Sequence, residues 1–479
     1  MAGQRWRANS VAAVPGKHHD KDTETGRRNV LFLLANACWA IPRSVSAALP
    51  PMALTPAQMR EDLKFLREEW APHDRSFTAE TRKEFERIVT TAMAEADLLS
   101  PAEFELEVML AVAAAGNGHT SDRSLRFLRP LPLRAWWFVD GLYVVSAHPD
   151  FAHLLGARID KFGDLTSKEA LAAVAPYIAG TEQRIRYLSA FVLMSSDVLH
   201  RIGAGNDADV ASATLRLRDG TAEQVRLRPA PSFDPGMKAP DAAYFGFSAL
   251  IPADPALVGR WPHVLDAVAD RPLTYRPAVD VSFAFIGDGG KVLYLRSNQV
   301  LSSDQAPLDQ KLLFGILQKE VVPRRPNYAV VDLRLNQGGN FFNTLLFTQA
   351  LPKLLPPGGR IFVLLGRATF SAALVTAAML KANGGDRTML IGETMGDADH
   401  FWGEGAEKTL PNSKIAVRYA DGYHDWANGC ADLDHCYWPV VAFGVHGISL
   451  EPELHMEPTF ADYAAGRDPV LDAALAMAR

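Results

Sequence analysis

Arg360-Ile-Phe-Val-Leu-Leu-Gly-Arg-Ala-Thr-Phe-Ser-Ala-Ala-Leu-Val-Thr-Ala-Ala-Met-Leu380 is the stretch from which the fold is read. A short apolar run, 361–365, stops at Gly366. A helix-forming run, 371–383, stops at Gly384 and Gly385. The pattern predicts a buried strand, a turn and a helix. Ser371 falls at the helix N-terminus, where free backbone N–H groups and the positive dipole end favour a developing anion. A serine there can be a nucleophile, or it can simply cap the helix.

The same texture extends outward from this stretch. Strands are expected at 281–286, 291–295, 329–333, 361–365 and 389–391, and helices at 307–321, 340–355 and 371–383. Such alternation implies βαβ units and a mainly parallel sheet. Ligands of such sheets bind beyond the carboxyl ends of strands. Three loops fall there: 334–339, 366–371 and 392–403. The first belongs to Asp332-Leu-Arg-Leu-Asn-Gln-Gly-Gly339. Gly338 and Gly339 can adopt positive φ and bring N–H groups close to a ligand, as an oxyanion hole requires. They can equally form a plain turn. Gly392-Glu-Thr-Met-Gly396 and Leu410-Pro-Asn-Ser413 each read as turns, the second before a strand at 414–419.

Upstream, Thr55-Pro-Ala-Gln58 and Ser100-Pro-Ala-Glu103 are capping boxes with proline at the first helical position. Met59, Leu63, Leu66 and Trp70 follow the first at helical spacing; Phe104, Val108, Ala111, Val112 and Ala115 follow the second. Residues 55–116 therefore read as a helical unit, closed by Gly116-Asn-Gly-His-Thr120. His119, beside this glycine-rich bend, is a candidate general base or an ordinary solvated histidine. Residues 130–228 read as β-rich, with hairpins turning at Asp140-Gly141 and Asp219-Gly220 and a helix at 167–178. Pro229, Pro231, Pro235 and Pro240 mark a linker.

The chain of 479 residues is too long for one ordinary core. Its 48% hydrophobic and 22% charged residues are usual for a globular protein. A net charge of -6 without a dense Lys/Arg block gives no ground for nucleic-acid binding. No apolar run reaches the ~20 residues needed to span a bilayer. Residues 1–25 are polar. Arg27-Arg28 then precede an apolar core at 30–41 and small-residue sites at Val45-Ser-Ala47 and Ser46-Ala-Ala48. This order predicts a secretory signal over 1–48 and an exported protein, periplasmic or secreted. Cys38 falls inside that signal. Cys430 and Cys436 remain, an even pair able to close a small loop in an oxidising compartment.

Taken together, Gly118-His-Thr120, Asp332-Leu-Arg-x-Asn-x-Gly-Gly339, Thr369-Phe-Ser-Ala-Ala373, Ile391-Gly-Glu-Thr-x-Gly396 and Leu410-Pro-Asn-Ser413 resemble the tail-specific, or C-terminal-processing, serine peptidases. The resemblance is to the branch nearer tricorn and interphotoreceptor retinoid-binding protein. It spans roughly residues 55–479, and Glu451-Pro-Glu453 and Gly466-Arg-Asp-Pro-Val470 extend it into the tail. It implies a multidomain α/β protein: a helical N-terminal cap at 49–129, a PDZ-like module at 130–228, a linker at 229–274 and a crotonase/ClpP-like catalytic core at 275–479. It further implies Ser371 as nucleophile, His119 as base, and an oxyanion hole from Ala372 with Gly338 or Gly339. The expected substrate is a peptide or protein, with no cofactor.

The sequence departs from the family in places. Ser–Lys members carry a lysine about two dozen residues after the serine; here Glu393-Thr-Met-Gly-Asp-Ala-Asp-His400 has none, and Lys381 and Lys408 are poor substitutes. Leu374 stands where a glutamate often follows the serine. For the acid that orients His119, Glu393 and Glu451 are the candidates. The competing reading is a non-catalytic, ligand-binding relative of the same fold. A metal site is the third, since His400, His424, His435, His446 and His455 lie near Cys430 and Cys436, but their spacing fits no zinc pattern.

Overall fold

The computed structural model describes residues 54–478 apart from 123, 231–248, 253–259, 277–280, 299, 301–309, 432, 444 and 446. The expected signal at 1–48 lies outside the described residues. So do His446, the linker prolines Pro231, Pro235 and Pro240, and the start of the helix expected at 307–321.

Both capping boxes form. Thr55 and Ser100 each accept the backbone N–H three residues on, opening α1 (Pro56–Phe65) and α3 (Pro101–Ala113). A helix not read from the sequence, α2 (Ala79–Glu95), packs between them and buries Phe85, Ile88 and Val89. This helical unit shares its core with Leu410, Ile415 and Val417 from the far end of the chain. The junction is polar as well as apolar. The buried Asp62 carboxylate accepts the N–H groups of Asn412, at 2.8 Å, and Ser413, at 2.7 Å. That is the task of the Leu410-Pro-Asn-Ser413 turn.

An antiparallel sheet follows: β1 (Leu133–Phe138), β2 (Gly141–Ala147), β3 (Arg158–Phe162), β4 (Ala211–Arg216) and β5 (Ala222–Leu227), in that spatial order. The two hairpins turn where expected, at Asp140-Gly141 and Asp219-Gly220. The helix expected at 167–178 ends its α-turns early, as α4 (Ser167–Val174), and tightens into a 3₁₀ turn at Ala175–Tyr177, where Pro176 enters. A further helix, α5 (Glu182–Val192), was not legible beforehand. The described parts of the stretch expected to be a linker are packed, not solvated. Leu250, Ile251, Val264 and Leu265 share a cluster with Trp136 of β1, Tyr275 and Tyr463.

The second sheet holds β6 (Val281–Ile286), β7 (Val292–Ser297), β8 (Tyr328–Asp332), β9 (Arg360–Leu365), β10 (Thr388–Gly392) and β11 (Leu454–His455), in spatial order β11-β10-β9-β8-β7-β6. All neighbours run parallel except β6, which pairs antiparallel with β7. Strand β9 is buried on both faces. Ile361, Val363 and Leu365 meet α6 (Phe342–Leu354) and α7 (Ala372–Gly384); Phe362 and Leu364 meet α8 (Pro469–Met477). This two-sided burial accounts for a continuous apolar run where a one-sided strand would alternate. The fold is a mixed α/β one with several sheets, and β8, β9 and β10 all end at the same edge.

Candidate active site

Strand β9 ends at Gly366, whose position allows no side chain: an added Cβ would lie 2.8 Å from Arg334 O. The loop beyond is pinned to the end of β8. Thr369 Oγ1 donates to Leu333 O at 2.8 Å and accepts the Gly366 N–H at 3.0 Å. Phe370 N–H donates to Asn336 O at 3.1 Å. Ser371 then takes φ 55° and ψ −126°, a strained backbone for a non-glycine residue, and α7 starts at the next residue. Its side chain makes no capping hydrogen bond, so the cap reading does not describe this serine. Among the described residues its Oγ has no hydrogen-bond partner. A serine raised on a sharp strand-to-helix corner, with a free hydroxyl, has the form that nucleophile turns take.

Gly338 lies against this corner. A Cβ there would come within 2.7 Å of Ser371 Cβ and 3.0 Å of Ala372 N, at a φ of +98°. Only glycine fits. Its N–H is already taken, donating to Asn336 Oδ1 at 2.9 Å, while Asn336 Nδ2 is fixed by Ser297 O at 3.0 Å. The two other expected donors are the ones left open. Ala372 opens α7, so its N–H has no intrahelical acceptor. Gly339, at φ +137°, donates to none of the described residues.

His119 arrives from the turn after α3. Thr120 Oγ1 anchors that turn by donating to Asp74 Oδ2 at 2.6 Å, and Asn117 Nδ2 donates to Thr120 Oγ1 at 3.1 Å. The imidazole is buried, 7% exposed, rather than solvated. Its Nε2 lies 3.0 Å from Asp397 Oδ2, and the same oxygen accepts the Ser371 backbone N–H at 3.3 Å. Asp397 thus links histidine and serine loop. The direct Ser371–His119 hydrogen bond that a serine–base pair leads one to expect is not made among the described residues; Nε2 faces Asp397 instead. The other ring nitrogen has no hydrogen-bond partner among the described residues.

Sequence reasoning did not name Asp397. It considered Glu393 and Glu451, and neither touches His119. Glu393 is bound on both oxygens by Arg367, at 2.7 and 3.0 Å. Burial alone would raise its carboxyl, but the Arg367 guanidinium outweighs that and holds it below the ordinary range. Arg367 also reaches Glu457 Oε2 at 2.7 Å and Trp137 O at 3.2 Å, tying the serine loop to β1. Glu451 is exposed and accepts from Thr394 Oγ1 at 2.8 Å. Lys381 pairs with Glu453 and Lys408 reaches Glu69 O, so neither serves the serine.

Other motif residues are structural. Arg334, buried, joins Asp332 to Asp468 of the tail: Nε to Asp332 Oδ1 at 3.0 Å and Nη1 to Asp468 Oδ1 at 2.7 Å. Thr274 Oγ1 and Tyr294 OH complete Asp332 at 3.0 and 2.8 Å. Burial would raise the Asp332 carboxyl, yet Arg334 keeps it below its usual value. Cys430 and Cys436 are disulfide-bonded, with Cα atoms 5.9 Å apart. Among the described residues no three His, Cys, Asp or Glu side chains are grouped to hold a metal ion, and no helix is long and apolar enough to cross a membrane.

No family model matches the chain, and no curated protein matches it. Solved structures do. Mature CPAF aligns over 88% of this chain and 96% of its own, at 14% identity and a TM-score of 0.55. Mature CPAF complexed with lactacystin aligns over 88% and 98%, again at 14% identity and 0.55. The likeness is one of fold across nearly the whole described chain.

Proposed function

We propose that the chain is an exported serine-type endopeptidase of the tail-specific, C-terminal-processing kind. The observation that carries this reading is the meeting, at one sheet edge, of a serine on a strained corner and a buried histidine–carboxylate pair. In the proposed reaction Ser371 Oγ attacks a peptide carbonyl carbon. Its proton passes to His119, on the ring nitrogen that does not face Asp397, and Asp397 balances the imidazolium. The N–H groups of Ala372 and Gly339 receive the oxyanion. His119 returns the proton to the leaving amine, and water hydrolyses the acyl-enzyme by the same steps. The proposal divides the chain as the family does: a helical cap at 49–129, a PDZ-like module at 130–228 and a crotonase/ClpP-like core at 275–479. Export rests on the signal pattern of residues 1–48, and the Cys430–Cys436 disulfide suits an oxidising compartment.

One observation favours the ligand-binding alternative: Ser371 and His119 share no hydrogen bond. A fluorophosphonate probe separates the readings. The peptidase gives a covalent adduct on Ser371, lost in Ser371→Ala. A folded, unlabelled protein without peptide hydrolysis overturns the enzymatic reading.

A further inference from the structure

His119 is the middle plane of a column. The Arg184 guanidinium of α5 lies 3.9 Å from the Phe370 ring centre. Phe370 stacks on His119 at 4.5 Å and 26°, and Phe401 covers the other face of His119 at 5.0 Å and 4°. His424 then stacks on Phe401 at 4.5 Å, and Tyr437 on His424 at 4.3 Å. Phe401 and His424 are direct cross-strand partners, on His400–Gly403 and Gly422–Asp425. Phe370, Phe401 and His424 are all buried.

The two faces of His119 are not equivalent. The far face of Phe370 already carries the positive charge of Arg184. The far face of Phe401 carries His424, which the fold keeps neutral. His424 Nδ1 accepts the Trp426 Nε1–H at 3.3 Å, so its proton sits on Nε2, which faces Glu404 Oε1 at 3.5 Å. Burial pushes His424 below its usual range, although Glu404 opposes this. The charged and titratable groups around His119 are thus Asp397 on its edge, Arg184 beyond Phe370, and His424 and Glu404 beyond Phe401.

An aromatic face attracts a cation, and the attraction grows where water is excluded. We infer that Phe401 is a positioning residue for the reaction: its ring fixes the plane of His119 and stabilises the positive charge that His119 gains as Ser371 loses its proton. Phe370 holds the opposite face, but its attraction for that charge is offset by Arg184. This inference rests on the peptidase reading for its place in catalysis. The charge argument itself concerns only the ring.

The test compares Phe401→Leu and Phe401→Met, which remove the ring face, with Phe401→Tyr, which keeps it. In the full chain, NMR of labelled histidine, assigned with a His119→Asn control, follows the His119 ring against pH without requiring turnover. Both aliphatic variants should move the midpoint to lower pH by about half a unit to one and a half units, and Phe401→Tyr should leave it near the parent. On an unfolded peptide, plateau kcat/KM should fall by roughly 3- to 30-fold in the aliphatic variants, while the acid limb shifts to lower pH. A general loss of packing lowers the plateau without moving the limb. A His119 midpoint that stays put, or rises, in a folded aliphatic variant overturns the inference. Absence of Ser371 labelling in the parent overturns the peptidase reading instead, and the ring titration still decides the charge argument.

Discussion

Asp397 Oδ2 lies 3.0 Å from His119 Nε2, although 278 residues separate the two in sequence. The pair is buried, with side chains 4% and 7% exposed. A carboxylate so placed fixes which ring nitrogen carries the proton and leaves the other basic. It also accepts the Ser371 N–H. One side chain therefore sets the ring orientation and the start of the Ser371 corner.

Asp397→Asn should keep this geometry and reverse the tautomer. The expected result is a fall in kcat of about 10²- to 10⁴-fold with KM little changed. Steady-state kinetics on an unfolded peptide and the fluorophosphonate labelling rate both read it. An Asp397→Asn protein with parental kcat would show that the histidine needs no carboxylate.

Ser371 and His119 should behave as one unit. Ser371→Ala and His119→Ala should each remove most turnover, and the double variant should be little worse than either. If His119→Ala retains full activity while Ser371→Ala loses it, the base lies elsewhere.

The architecture was legible where local pattern and burial agree. The apolar run of β9, bracketed by Gly366, announced a strand because both its faces are covered. The capping boxes at Thr55 and Ser100 announced helices because their bonds are local. The α2 and α5 helices, with weaker start signals, went unread. At the site, the serine corner and the two glycine loops could be found, since each is a short motif. The role of each atom could not. Whether Ser371 caps its helix depends on a φ of 55° that no residue type encodes. Asp397 sits four residues after Glu393 in the same loop, with no local pattern to distinguish the two carboxylates, and its partner arrives from the turn after α3. The Phe370–His119–Phe401 stack joins three distant segments, so no spacing rule could reveal it.

The buried ion network should be costly to break. Removing the Asp468 carboxylate with Asp468→Ala strips Arg334 of two charge-assisted bonds, at 2.7 and 2.8 Å, in a buried site. The expected loss is about 3–5 kcal/mol, the usual result of leaving a buried charge half paired. Urea denaturation measures it. A change within about 0.5 kcal/mol, the range of ordinary surface substitutions, would mean that Asp332 alone satisfies Arg334.

Two neighbouring carboxyls, Glu105 buried and Asp122 half-buried, should pull stability down as pH rises through neutrality. Glu105 of α3 is fully buried and accepts the N–H groups of Arg126, at 2.5 Å, and Phe127, at 2.6 Å. Burial, with the nearby Asp122 charge adding to it, pushes Glu105 up to about 8. Burial likewise pushes Asp122 up to about 6. In the unfolded chain both carboxyls titrate near their ordinary values, about 4. Between about 4 and 8 the folded state therefore binds more protons than the unfolded state, and unfolding free energy declines with pH. The contribution is fully present below the unfolded values and is lost as pH rises through the folded ones. Glu105→Gln removes the larger part of this titration while keeping an oxygen for the amides. Buried His263, pushed down to about 4, works in the opposite sense up to the unfolded histidine value, so the comparison is between proteins: from pH 5 to pH 8 the denaturant midpoint of Glu105→Gln should fall less, or rise more, than that of the parent. Equal slopes in the two proteins would mean that Glu105 is ionised in the fold at neutral pH, held so by its two N–H donors.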